Sequence, residues 1–230
     1  MTEFTFLLPC LNESNSIEFC INEIRDTVKR LALNAEILVA DNGSEDGSPE
    51  IARKCGARVV EITERGYGAA IIGGINASCG KYIIMGDSDG TYDFSTADAF
   101  IDALRAGSDL VMGNRFKGGI EKGAMPFLHR LGVPALSLLA RVRFRVSVKD
   151  FHCGLRAFDR EKALALGLRC QGMEFATEII AKFAKSGACI TEVSTPLRKD
   201  RRMGRKAHLR TFRDGFRHLY FIAFNKPLSK

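Results

Sequence analysis

Three short apolar runs constrain this chain more than any other feature: residues 4–8 (FTFLL), 36–40 (EILVA) and 81–85 (KYIIM). Each run is nearly continuous instead of alternating with polar residues, so each predicts a strand buried on both faces. Such a strand needs helices above and below it. Between the first two runs Ile17, Ile21, Ile24, Val28 and Leu31 recur at helical spacing, with Ser14 or Ser16 as the cap. Further helices are predicted over residues 48–55 and from a Gly-rich turn at 65–68 to about residue 78, with a strand at 58–62 between them. The expected fold is α/β, a mainly parallel sheet with helices on both faces.

The second half is less regular. It predicts a strand at 109–113, a mobile loop around Gly118, Gly119 and Gly123, and a helix over 126–148 interrupted near Gly132-Val133-Pro134. A strand or turn at 150–158, a helix at 175–185 and a strand at 188–193 follow. From Arg198 to Lys230 there are eleven Lys/Arg and two acids, a net of +9, which leaves −2 for the rest of a chain whose total is +7. We therefore expect one domain over residues 1–197 and a basic extension over 198–230. That patch suits phosphates or anionic headgroups.

Three polar clusters follow predicted strands: residues 9–13, 41–46 and 87–93. Open parallel sheets bind ligands at the carboxyl ends of their strands, so these clusters should meet in one crevice. Asp87-Ser88-Asp89 offers two carboxylates in a turn. Mg²⁺ or Mn²⁺ takes oxygen ligands and commonly links one or two carboxylates to substrate phosphates. A D-x-D alone reads as readily as a polar turn; its two companion clusters favour the metal site.

Pro9-x-x-Asn12-Glu13, Asp41-x-Gly43-Ser44-x-Asp46-Gly47-Ser48, Arg65-Gly66-x-Gly68 and the D-x-D stand in the order and spacing of glycosyltransferase family 2, which residues 4–115 resemble. The second half resembles the polyprenyl-phosphate (dolichol-phosphate) mannose and glucose synthases of that family. The residues that carry this likeness are Gly113-Asn114-Arg115-Phe116, Asp150-x-x-Cys153-Gly154-x-Arg156, Gly172-Met173-Glu174-Phe175 and Arg202-x-Gly204-Arg205-Lys206. The resemblance implies a GT-A, Rossmann-like fold and a nucleotide-sugar donor of the UDP-glucose or GDP-mannose type. It implies that Pro9, Leu11, Asn12, Glu13, Asp41, Arg65, Gly66 and Ser88 line the donor site, and that Asp87 and Asp89 hold Mg²⁺ or Mn²⁺. Asp89, Arg115 and Arg202 would be catalytic. Arg115, Arg130, Asp150, Glu174, Arg202 and Lys206 would face a polyprenyl phosphate acceptor. The chain departs from the family at Asn42, where a second acid is common, and at Thr91, where some dolichol-phosphate mannose synthases place a metal-binding Gln.

A hydroxyl acceptor would need a general base, for which Asp150 and Glu174 are the candidates, whereas a phosphate arrives ionised. The seven scattered cysteines, an N-terminus with Glu3 and no basic leader, and the lack of a long apolar run predict reduced thiols and a cytoplasmic chain. The run at 218–224 (HLYFIAF) is too short to span a bilayer. The Arg-interrupted apolar segment 126–148 and the basic tail predict peripheral contact with an anionic membrane face. His152-Cys153 could signal a metal or a nucleophile, although ordinary burial is the commoner reading. A nucleotidyltransferase would want a Gly-rich phosphate loop after the first strand, which residues 9–13 lack. A nucleic-acid-binding protein would fit the basic tail, but no nucleic-acid motif accompanies it.

Overall fold

In the computed structural model, residues 2–202 and 211–225 are described. Among them seven strands form one sheet in the order β3-β2-β1-β4-β6-β5-β7. The first half builds β1 (Phe4–Cys10), α1 (Ile17–Arg30), β2 (Ala35–Asp41), α2 (Ser48–Lys54), β3 (Arg58–Glu61), α3 (Tyr67–Ala77) and β4 (Tyr82–Met85). All seven residues of β1 are buried, as a strand between two helical layers must be. β1 pairs in parallel with β2 on one side and β4 on the other, so the chain reverses its winding direction between β1 and β4. That switch point opens a crevice at the strand ends. The α1 face made by Ile17, Cys20, Ile21 and Ile24 is fully buried against one side of the sheet. Each such apolar side chain contributes roughly 1.5–3 kcal/mol. Glu18 in its first turn and Lys29 and Arg30 in its last complement the helix dipole.

The second half comprises α4 (Asp98–Arg105), β5 (Leu110–Asn114), α5 (Arg115–Gly118), α6 (Phe127–Phe144), β6 (Arg156–Asp159), α7 (Arg160–Ala165), α8 (Phe175–Lys185), β7 (Ile190–Ser194) and α9 (Thr211–Phe224). β6 runs antiparallel to both β4 and β5, while β5 and β7 are parallel. The sheet is therefore mainly parallel with one reversed strand, a Rossmann-like GT-A arrangement.

Two local expectations need correction. The helix at 126–148 is not interrupted at Gly132-Val133-Pro134: α6 runs through, with Pro134 inside it and exposed. The pyrrolidine ring removes one backbone bond there, and solvent can satisfy the released carbonyl. The loop around Gly118 is in part the short helix α5. Its Gly118 lies so close to the Thr195 backbone that a Cβ would come within 2.1 Å of it, and Ile120 then bridges to Leu197. In the segment expected as a basic extension, some of the described residues pack on the rest of the chain. Arg198 and Arg201 donate backbone N–H bonds to the Thr91 and Asp89 carbonyls, and Phe221 and Ile222 of α9 are buried in the same core as α8.

Candidate functional site

The three strand-end clusters interlock. Ser44 Oγ accepts the Asn12 N–H at 2.8 Å, Ser48 Oγ accepts the Glu13 N–H at 2.8 Å, and Asp46 accepts the Ser14 N–H at 3.0 Å. Asn12 Oδ1 in turn accepts the Glu45 N–H, with Asn12 itself in the left-handed region at φ 57°. Ser88 Oγ donates to the Pro9 carbonyl at 2.6 Å and so ties the D-x-D turn to the end of β1. Leu11 lies between the two tied positions on the rim, partly buried.

The predicted nucleotide residues therefore form one rim, but two of them serve the rim itself. The Asp41 carboxylate accepts the N–H groups of Gly43 and Ser44 at 3.0 and 3.1 Å. Arg65 donates to the Asn42 and Gly43 carbonyls. Asn42, where the family often has an acid, donates to the Ile62 and Glu64 carbonyls and accepts the Gly66 N–H. An amide does both at once, whereas a carboxylate can only accept. That is the physical reason Asn works here.

At the centre Asp89 Oδ1 accepts the Thr91 N–H at 3.0 Å and the Thr91 hydroxyl at 2.6 Å. Thr91 thus orients Asp89. Arg202 spans Glu13 at 2.8 Å and Asp89 at 3.1 Å, carried there by the backbone bonds of residues 198 and 201. Asp87 lies beside them. Burial, and then the Asp89 charge, push its carboxyl up to about 6, against the Tyr67 hydroxyl and the Arg202 charge, which act the other way. Two close carboxylates in a poorly solvated turn are a pair that a cation relieves, and their oxygens suit Mg²⁺ or Mn²⁺. Among the described residues no third His, Cys, Asp or Glu completes a cluster, so such a cation would draw its other oxygens from substrate phosphate and water.

Behind the D-x-D lies the loop that holds Asp150, His152, Cys153 and Gly154. A Cβ on Gly154 would come within 2.6 Å of Asp87 Oδ2, so glycine lets this loop close against the carboxylate. Asp150 is fully buried and takes a two-pronged bond from Arg115 at 2.8 Å on each oxygen, plus the Arg115 N–H at 3.1 Å. Glu174 is likewise held by Arg217 at 2.5 and 2.7 Å. Burial raises the Glu174 carboxyl, but the Arg217 bond and charge, together with backbone hydrogen bonds, outweigh it and hold the group below its usual range. Arg130 lies apart from these pairs, in a cleft of about 350 Å³ with Phe116 and Ile120. Lys206 lies outside the described residues.

Arg156 escaped the sequence assignment of roles although it closes the Asp150–Arg156 motif. Its guanidinium, 1% exposed, donates to the carbonyls of Cys153, Ala176 and Phe151, and so fixes this loop on α8. Cys153 is fully buried, and burial and the Asp150 charge push its thiol up to about 12.

His152 and His218 meet edge to face at 4.4 Å. His218 has the Thr177 hydroxyl at 2.9 Å, whereas neither ring nitrogen of His152 has a hydrogen-bond partner. Burial, only partly offset by Glu174, holds His218 down to about 4, and burial with the neighbouring His218 holds His152 well below its usual range. Above pH 6.5 both rings are neutral in either state and contribute nothing. Below it the unfolded chain takes up protons that the folded chain refuses, so stability falls with falling pH. For His218 alone the loss at pH 5 relative to pH 7.5 is about 2 kcal/mol. Urea midpoints of wild type and His218→Asn at the two pH values check this: the wild type should lose more than the variant, and equal losses would contradict it.

Comparison with known proteins follows this geometry. The sequence profile of glycosyl transferase family 2 matches residues 5–166. A protein of Haloferax volcanii named low-salt glycan biosynthesis hexosyltransferase Agl6 is 37% identical over 224 residues, 96% of this chain and 53% of its own length. The chain thus spans about half of that relative. A second Haloferax volcanii protein, named dolichyl-phosphate hexose transferase, is 33% identical over 201 residues, 86% of either chain. The glucosyl-3-phosphoglycerate synthase of Mycobacterium tuberculosis, solved with Mn²⁺, UDP and glucosyl-3-phosphoglycerate, superposes with a TM-score of 0.75 at 22% identity, over 99% of this chain and 82% of that one. It shares the fold. By profile, relatives and architecture, the chain is a glycosyltransferase that belongs to glycosyl transferase family 2.

Proposed function

We propose that this glycosyltransferase moves a hexose from a nucleotide sugar to the phosphate of a polyprenyl phosphate, with Mg²⁺ or Mn²⁺ as cofactor. The observation that carries the acceptor class is the state of the two candidate bases. Asp150 is committed to Arg115 and Glu174 to Arg217, so neither is placed to take a proton from a hydroxyl. A phosphate acceptor needs no base; it needs positioning and cationic neighbours. The name of the dolichyl-phosphate hexose transferase relative supports the same class.

Asp87 and Asp89 would hold the cation, which when bound supplies positive charge to the departing diphosphate. The rim of Pro9, Asn12, Glu13 and Asp41 binds the nucleoside, and Ser88 fixes the turn beneath it. Arg202, poised between Glu13 and Asp89, offers a planar cation that pairs with a phosphate on two oxygens. An acceptor phosphate oxygen attacks the anomeric carbon in line. The bond from that carbon to the diphosphate oxygen breaks with inversion, and the electron pair leaves with the diphosphate.

The Arg130 cleft is tied to the loop behind Asp87: Ile120, in that cleft, bridges Leu197 through the backbone, and Leu197 bridges Tyr92, whose hydroxyl accepts the Gly154 N–H. Next to the cleft, α6 exposes Phe127, Leu128, Leu131, Leu138, Leu139 and Val142. No described helix is long and apolar enough to cross a membrane, so we place this stripe, with its flanking arginines, at the surface of an anionic bilayer.

The test is hexose transfer in vesicles with and without anionic lipid. Transfer to polyprenyl phosphate that weakens in high salt is expected. Transfer to 3-phosphoglycerate or a simple hydroxyl, and never to polyprenyl phosphate, would overturn the reading.

A further inference from the structure

The Arg65-Gly66-x-Gly68 turn brings α3 unusually close to the chain ahead of α8. Gly66 sits at φ 139°, and a Cβ there would lie 2.2 Å from the Gln171 carbonyl oxygen. A Cβ on Gly68 would meet the Cys170 carbonyl at 2.0 Å. The Ala69 N–H donates to the Gln171 carbonyl at 3.1 Å and locks the contact. The residue between the two glycines is Tyr67. Its hydroxyl reaches Asp87 Oδ1 at 3.0 Å, whereas Gly154 lies against the other oxygen, Oδ2.

We infer that Tyr67 is the positioning residue of the metal site: its hydroxyl, aimed by the two flanking glycines, fixes the rotation of the Asp87 carboxylate in the pose that would meet the cation. The inference rests on the reading of Asp87 as a metal ligand. A phenol hydroxyl is a donor at neutral pH, so it donates to the carboxylate. Asp89 has its own orienting donor in Thr91, so each acid of the D-x-D is held by one hydroxyl. Partners that orient a ligating carboxylate commonly affect metal affinity by 10–100-fold.

The experiment measures Mn²⁺ binding in the presence of UDP, by the paramagnetic resonance signal of free Mn²⁺, for wild type, Tyr67→Phe, Gly154→Ala, Asp87→Asn and Thr27→Val. Tyr67→Phe should weaken Mn²⁺ roughly tenfold, leave metal-free UDP binding within about twofold, and recover kcat at saturating Mn²⁺. Thr27→Val removes a buried hydroxyl of α1 that donates to the carbonyls of Glu23 and Phe94. It should lower the melting temperature comparably and leave Mn²⁺ affinity unchanged. Gly154→Ala presses on the other oxygen of the same carboxylate and should also weaken Mn²⁺, which keeps the test open if Tyr67→Phe does not fold.

Wild-type affinity in a folded Tyr67→Phe, an equal loss in Thr27→Val, or an unchanged Gly154→Ala would overturn the inference. If Asp87→Asn also binds Mn²⁺ normally, the metal assignment itself falls. If only Asp87→Asn loses it, the metal assignment stands and the role of Tyr67 does not.

Discussion

Asp89→Asn is expected to lower kcat/KM for hexose transfer by roughly a thousandfold or more while the protein remains folded. The wild-type carboxylate has two tasks that the substitution separates. One oxygen accepts the N–H and hydroxyl of Thr91, and an amide oxygen can still do so. The other faces Arg202, which keeps its second partner, Glu13. The turn should therefore survive at a cost of about 1–2 kcal/mol. On the proposed metal reading, what is lost is one of the two negative charges that would meet the cation, at the place where charge would develop on the leaving diphosphate. Charge stabilisation of that kind is worth several kcal/mol in a water-poor site, and about 4 kcal/mol corresponds to a thousandfold in rate. Steady-state release of nucleoside diphosphate, with a thermal melt of the same sample, checks both halves. A folded variant within tenfold of wild type would remove Asp89 from the chemistry.

Sequence periodicity made the first half of this fold legible because its strands are buried on both faces. A continuous apolar run bounded by Asx, Gly or Pro leaves few other choices. The crevice was legible for the same reason, since each polar cluster stops a strand. The segment between Asp93 and Asp109 was not read, although α4 buries Phe100, Ile101 and Leu104 there. Its eight residues carry too few turns for a clear period. β6 was only half read because its antiparallel pairing between β4 and β5 comes from tertiary contacts that no local pattern encodes. Among the candidate site residues, sequence placed Arg115, Asp150 and Glu174 near the acceptor by resemblance. It did not show that each is consumed by a partner distant in the chain, 35 residues apart for Arg115 and Asp150. Arg156 and Tyr67 were visible in their motifs, but the bonds from Arg156 to Ala176 and from Tyr67 to Asp87 each join residues 20 apart, and only the folded chain reveals them.

Asp150→Ala is expected to destabilise the fold by about 3–5 kcal/mol, the range for removing one partner of a buried ion pair. Asp150 is fully buried and the Arg115 side chain is 10% exposed, so the pair is little screened by solvent. Taking away the carboxylate leaves the guanidinium in a poorly hydrated place, with the Arg115 N–H and the His152 N–H also deprived of an acceptor. The double variant Arg115→Met, Asp150→Leu removes both charges and should recover much of the loss, because two apolar side chains need no counter-ion there. If Asp150 were instead a general base for a hydroxyl acceptor, Asp150→Asn would abolish transfer with a melting curve close to wild type. On the ion-pair reading it loses stability first, and the residual activity of the folded fraction stays measurable. Urea unfolding of the three variants, with transfer assayed on the folded fraction, separates the two roles. The outcome matters for the acceptor: a carboxylate that serves a buried arginine leaves deprotonation to the substrate, and a phosphate is a substrate that arrives already ionised.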